Sequence, residues 1–346
     1  MTNPPSPPLQ SLHIVEFEGL GPGPLAAWML AGLGARVTTL VRPGGNAMAQ
    51  QLGGPGENLL QRGKTLVEVD LKSPAGRAQA LALLAGADAL IEGNRPGVME
   101  RLGLGPADCA AVNPRLVYGR MTGWGQSGPL AQSAGHDLNY VALSGLMSLG
   151  AHRGERPIVP PTVLGDAGGA LGLALGLVSA VLAARQSGQG CVVDAAIVDV
   201  VAMLGTLVHW IRGGGQIDGP QPSPFHDSPF YDVYRCADGG HLTVGALEPP
   251  FYAELLRRLG LDDVPAASQY DRATWPALKA RLTALFASQP RAHWQALLEG
   301  SDACFAPVLG VAEAATHPHN QARGTFAVDE RGNVRAAIAP RFLPLG

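Results

Sequence analysis

The chain has 346 residues, 46% of them hydrophobic and 15% charged, with a formal net charge of −3. That is enough apolar material for a sizeable core and enough length for two domains, while near-neutral charge without runs of one sign argues against nucleic acid or an anionic membrane surface as a partner. Four scattered cysteines with no C-x-x-C, and no secretory-type apolar segment ahead of the first strand, point to a reducing cytoplasm.

After a proline-rich start, PPSPP at 4–8, expected to lack structure, Leu12 to Phe17 reads as a strand. The glycine turn Gly19 to Pro24 (GLGPGP), the helix pattern LAAWMLAGLG and a second strand, Val37 to Val41, complete a βαβ unit. Ser73 and Pro74 supply the N-cap and first turn of a helix through Leu84, followed by the strand ALIEG and later by LVYGRMTG at Leu116 to Gly123. The most apolar run, Ala167 to Ala184, just reaches bilayer-crossing length, but its glycines favour close packing and a turn and strand-like CVVDAAIV follow, so it reads as a core helix. Strands alternating with helices imply a parallel sheet, and residues 1–212 are expected to form a large α/β domain. Residues 213–229, rich in Gly, Pro and polar side chains, read as a linker. Beyond it, two strands joined at Asp238-Gly-Gly240 and helices at Pro249 to Leu259, Trp275 to Ser288 and Arg291 to Gly300 make a smaller α+β domain at 230–315. The tail, 316–346, with a turn at ERGN, is long enough to return to the large domain and is expected to complete it, though nothing in its residues shows that it does.

The chemistry-bearing residues stand where strands end and helices begin. GLGPGP invites a dinucleotide reading, but Pro24 occupies the third glycine position and the second strand ends in Arg42 instead of an acid for ribose hydroxyls. Arg42 and Arg95, in NRPG, both follow strand ends and could converge on a phosphate, with Arg62 and Lys64 in QRGK adding charge; solvated surface cations are the competing reading. His317-Pro-His319 lacks a third ligand and reads as a surface turn, and no G-x-S-x-G elbow is present. His136-Asp137 precedes a short apolar helix as a capping pair would, and Asp166 and Glu248 are also placed as helix caps. Yet His136, Asp166 and Glu248 are the ionisable groups that most clearly interrupt apolar stretches, and a water-poor site with a histidine and carboxylates suits proton abstraction from carbon.

GLGPGP with its helix, VTTLVRPGG, NRPGV, GQSGPLAQSAGHDLNYVALSGL, GDAGG, SGQGCVVDAAIVD and VGALEPPFY together resemble the class III CoA-transferase superfamily over nearly the whole chain. Within it the chain is similar to the racemase branch that acts on 2-methylacyl-CoA thioesters. Transferases of the superfamily keep the aspartate matching Asp166, where it forms an acyl anhydride, but generally lack the histidine of GHD and the glutamate matching Glu248. The resemblance implies an interlocked homodimer in which each large Rossmann-like α/β domain faces the small α+β domain of the other chain. Glu248 would then meet His136 across subunits. It further implies 1,1-proton transfer through an enolate, with His136 as one acid/base and Asp166 as the other. Amides around Asp137 would stabilise the enolate, and Tyr140 joins Asp137 among the residues expected to contact substrate. Arg42 and Arg95, and more loosely Arg62 and Lys64, would hold CoA phosphates. CoA is then part of the substrate, no separate cofactor or metal is needed, and CoA transfer through an Asp166 anhydride is the alternative. The long loop AHRGERPIVP at 151–160 leaves a steroid side chain, a branched fatty acid and an aryl-propionyl group all open as acyl portions.

Overall fold

The central strands alternate between two apolar clusters, which is what burial on both faces of a parallel sheet requires. In β1 (His13–Phe17), Ile14 enters one cluster while Val15 and Phe17 enter the other. The alternation recurs at Ile91 and Leu90 in β4 (Ala89–Glu92) and at Val117 and Tyr118 in β5 (Val117–Thr122). With β2 (Arg36–Val41), β3 (Thr65–Glu68) and β6 (Val192–Ala196) they form a six-stranded, wholly parallel sheet ordered β3-β2-β1-β4-β5-β6. Strand order reverses between β1 and β4, and the carboxyl edge at such a switch point is where open α/β sheets take ligands. β3 was not expected from the sequence: it has four residues at the sheet edge, and solvent faces most of them, so no apolar run marks it. The computed structural model describes residues 6–53, 58–152, 154–329 and 332–345. Part of the proline-rich start and of the ERGN turn therefore lies outside the described residues.

Ser73 caps the helix Pro74–Leu84 as its sequence foretells, its Oγ accepting the Gly76 N–H at 3.0 Å. The long apolar helix Gly168–Ser187 buries Leu173, Leu177, Val181 and Ala184 in the core shared with the helix Pro22–Gly32. With the π-helical turn Val163–Ala167 ahead of it, this segment is long and apolar enough to cross a membrane by length and composition. Its buried stripe is that of a core helix, packed on β5 and β6.

The chain divides into two units, 1–150 with 157–205 and 338–346, and 151–156 with 206–337. The first therefore ends seven residues earlier than the expected 212, and of the tail only 338–346 belongs to it, with Ile338 packed against Gly32. Residues 213–229 are an ordered part of the second unit and not a free linker. Ser223 Oγ donates to the Gln216 carbonyl at 2.7 Å, Asp227 accepts the Ser223 N–H at 2.6 Å, and Arg272 Nε donates to the Pro222 carbonyl at 3.0 Å. Composition marked this stretch as irregular, which it is; irregular backbone tied down by side chains is still ordered.

In the second unit, β7 (Tyr231–Arg235), β8 (His241–Gly245) and β9 (Phe305–Val308) form an antiparallel sheet in that order. The helices Pro249–Arg258, Trp275–Phe286 and Arg291–Leu298 contribute to its apolar core, in which the rings of Tyr252, Tyr270 and Trp275 surround Phe230. β9 went unread in the sequence because Pro307 sits within its four residues; the strand is at the sheet edge, where proline is tolerated.

Candidate active site

His136 is the N-cap of the helix Asp137–Leu143, but its imidazole does no capping. The His136 N–H donates to Asn139 Oδ1 at 3.0 Å, and the Asn139 N–H donates back to the His136 carbonyl at 2.8 Å. The backbone and Asn139 thus close the helix end, leaving the exposed imidazole available for chemistry. Asp137, by contrast, is only 8% exposed, and its Oδ1 accepts the Asp166 N–H at 2.8 Å. Asp166 is not a helix cap, as its sequence position suggested. It lies inside the π-helical turn, whose own N-cap is Thr162, a non-glycine residue at φ 63°. Two glycines make room there. A Cβ at Gly165 would stand 2.3 Å from Asp137 Oδ1, and one at Gly21, where φ is +65°, would stand 3.3 Å from Asp166 Oδ2. The glycine turn that looked like a dinucleotide cradle thus lets the chain pass close beside the Asp166 carboxylate.

Burial, and next the charge of Asp137, hold the Asp166 carboxyl above the usual carboxylate range, while His136 opposes them. The site therefore brings together His136, Asp137 and Asp166, two of which the sequence read as an acid/base pair. Tyr140, expected to contact substrate, also supports the backbone ahead of His136. Its hydroxyl donates to the Gly135 carbonyl, and its ring meets Trp124 edge-on with centroids 4.7 Å apart, so it braces the chain just before His136. Burial and the Asp166 charge raise the Tyr140 hydroxyl, and Arg95 works against them, which sets Arg95 within electrostatic reach of this cluster. The turn carrying Arg95 is held by Glu92, which sequence reading passed over: its buried Oε2 accepts the Asn94 N–H at 2.7 Å.

The four expected phosphate cations separate. Arg42 and Arg95 are exposed on turns after β2 and β4; Arg42 Nε pairs with Glu18 at 2.9 Å, while Arg95 makes no ion pair among the described residues. Arg62 is exposed but precedes β3 instead of following a strand end. Lys64 is not available to a phosphate in this structure: its side chain is 1% exposed, and its Nζ lies 2.7 Å from Glu16 Oε2 and 2.9 Å from the Pro24 carbonyl. Nothing in QRGK signals that its lysine turns inward to a glutamate 48 residues away.

Glu248 belongs to the second unit and is described there alone. It is the exposed N-cap residue of the helix Pro249–Arg258, its side chain makes no capping bond, and its charge bears on Tyr270 and Cys304. His317, of the histidine pair, joins Glu299 Oε1 at 2.7 Å.

CoA-transferase family III matches residues 9–344. The chain is 40% identical to the human alpha-methylacyl-CoA racemase over 97% of its own length and 86% of the human protein, and 40% identical to the mouse racemase over 93% and 83%. Its structure is similar to a crystal structure of Rv3272 from Mycobacterium tuberculosis, named a probable fatty acyl-CoA transferase, with TM-score 0.79, 28% identity and coverage of 98% and 93%. A match over nearly every residue, on a fold with this sheet, means that the chain belongs to CoA-transferase family III.

Proposed function

We propose that the protein interconverts the 2R and 2S epimers of 2-methylacyl-CoA thioesters by proton transfer at C2. The observation that carries this reading is the convergence of His136 and Asp166 on one small site, with Asp166 more basic than an ordinary carboxylate. A C–H beside a thioester is a weak acid, so a carboxylate raised toward neutrality is a better-matched base. One of the two groups takes the C2 proton, and the C–H electron pair passes into the enolate. The other group returns a proton to the opposite face, and the electron pair re-forms the C–H bond, so nothing is oxidised or reduced. Arg42 and Arg95, on turns at the carboxyl edge, are suited to CoA phosphates through charge-assisted bonds, and no further cofactor is required.

The same reading takes the active form as an interlocked homodimer in which Glu248 orients His136 of the partner subunit. Support comes from apolar side chains that solvent would otherwise meet: Leu171, Leu175 and Leu182 on the long helix, and Leu207 and Trp210 on the helix Thr206–Gly213 of the second unit. Large exposed apolar patches mark interaction surfaces. Free thiols at all four cysteines fit a reducing cytoplasm.

Incubating a single 2-methylacyl-CoA epimer with the protein in deuterated water tests the reaction. Deuterium should enter C2 and both epimers should appear with no acceptor acid present. CoA transfer to a free carboxylate through an Asp166 anhydride, without exchange at C2, would replace this reading with the transferase one.

A further inference from the structure

We infer that the Asp137 side chain is a positioning residue for Asp166, fixing its backbone through a hydrogen bond and keeping a second negative charge beside its carboxylate. The inference rests on the proposed proton transfer and assigns a buried group that sequence reading had placed against substrate.

The bond from the Asp166 N–H to Asp137 Oδ1, 2.8 Å long, joins two elements whose residues are 29 positions apart in the chain. It forms only because Gly165 has no side chain, since a Cβ there would fall 2.3 Å from the same oxygen. A carboxylate is a costly way to satisfy one backbone amide inside a protein; a neutral acceptor would do it without burying charge. What the charge adds is a field at Asp166. The helix Asp137–Leu143 faces Asp166 with His136 at its cap, Asp137 and Tyr140, and Arg95 bears on Tyr140 from the turn after β4. Of the other elements packed on the π-helical turn, the helix Pro22–Gly32 has no ionisable side chain. The long helix has only Arg185, in its last turn, and the helix Ile197–Leu204 has only Asp199, in its first. Asp137 is thus the negative neighbour that works with burial to raise Asp166.

Asp137→Asn keeps an acceptor oxygen and removes the charge; Asp137→Ala removes both. Losing the charge makes Asp166 a stronger acid. In Asp137→Asn the limb of the C2-exchange pH profile that belongs to Asp166 should therefore move to lower pH, by about one unit. It should do so from either epimer, because Asp166 loses its proton at lower pH whether it starts as base or as acid. In Asp137→Ala, kcat should also fall about 10- to 100-fold with KM near the wild-type value, since the base is misplaced while the CoA contacts stand. Isotope-edited infrared titration of the Asp166 carboxyl, assigned with Asp166→Asn, reads the same downward shift without turnover. Asp137→Ser serves as a second uncharged variant should Asn disturb the fold. An unshifted limb together with an unshifted carboxyl titration, or an Asp137→Ala enzyme with wild-type kcat, overturns the inference. Wild-type protein that exchanges no deuterium defeats the reaction reading instead, and the infrared titration still decides the electrostatic claim.

Discussion

Asp166 stands in surroundings that favour its neutral form, so ionising it should cost the fold stability. Its carboxyl titrates above the usual range because of burial first and Asp137 second. Folded protein then binds this proton more tightly than unfolded protein does. Stability should fall as pH rises from the ordinary carboxylate pKa through the raised folded value, and the full penalty should be present above that value. Asp166→Asn removes the charge and should melt at a higher temperature than wild type at pH 7, with the advantage shrinking as the pH is lowered through that window. The same variant should lose C2 exchange. Thermal melts across pH check the first outcome, and a variant no more stable than wild type at pH 7 would show that Asp166 is better solvated than its burial implies. Asp137 illustrates the converse. Read in sequence as a cap with an enolate-facing amide, its side chain is spent on the backbone of its neighbour.

The elements around the site are tied to one another by a buried polar link. Lys64, just ahead of β3, donates to Glu16 in β1 and to the Pro24 carbonyl in the first turn of the glycine-turn helix. Thr39 in β2 donates to the same Glu16 oxygen at 2.6 Å. Both charged side chains are 1% exposed. Removing one partner of such a pair strands the other charge, so Lys64→Met should destabilise the protein by about 3–5 kcal/mol in urea unfolding. Adding Glu16→Gln should restore part of that loss, because the unpaired charge goes with it. A Lys64→Met protein as stable as wild type, but weakened in acyl-CoA binding, would return Lys64 to the phosphate role first given to it. The π-helical turn carries a second such link, since its Asp166 N–H donates to Asp137 in the neighbouring helix.

At the scale of the whole molecule, the proposed active site draws on two chains. His136 stands in the first unit and Glu248 in the second. In an interlocked dimer, co-folding His136→Ala chains with Glu248→Ala chains gives heterodimers with one intact and one doubly damaged site, so two inactive parents should yield activity. A positioned acid/base group contributes about 10²- to 10⁴-fold, which makes the recovery easy to see above either parent. Heterodimers confirmed by mass but as inactive as the parents would mean that both residues serve the same chain's site, or that Glu248 merely ends a helix.

Local signals in the sequence determined most of the elements. Short, largely apolar runs marked β1, β2, β4 and β5, Ser73-Pro74 started a helix, the GHD triplet sat at a helix mouth, and proline after Glu248 opened another helix. These depend on residues a few positions apart, and their physical causes, pleat periodicity and unsatisfied helix-end amides, act at that range. What the chain could not announce was anything decided by partners distant in sequence. The edge strand β3 forms because β2 offers it an open row of hydrogen bonds, not because its own residues are apolar. Lys64 turns inward because Glu16 waits there, and Tyr140 is committed to bracing because Gly123 and Gly135 leave space for its ring. Asp137 meets Asp166 only after a helix and a π-helical turn have been packed together. The motif marked a helix mouth, and tertiary packing decided which of its side chains stay exposed, as His136 does, and which are spent on neighbouring backbone, as Asp137 is.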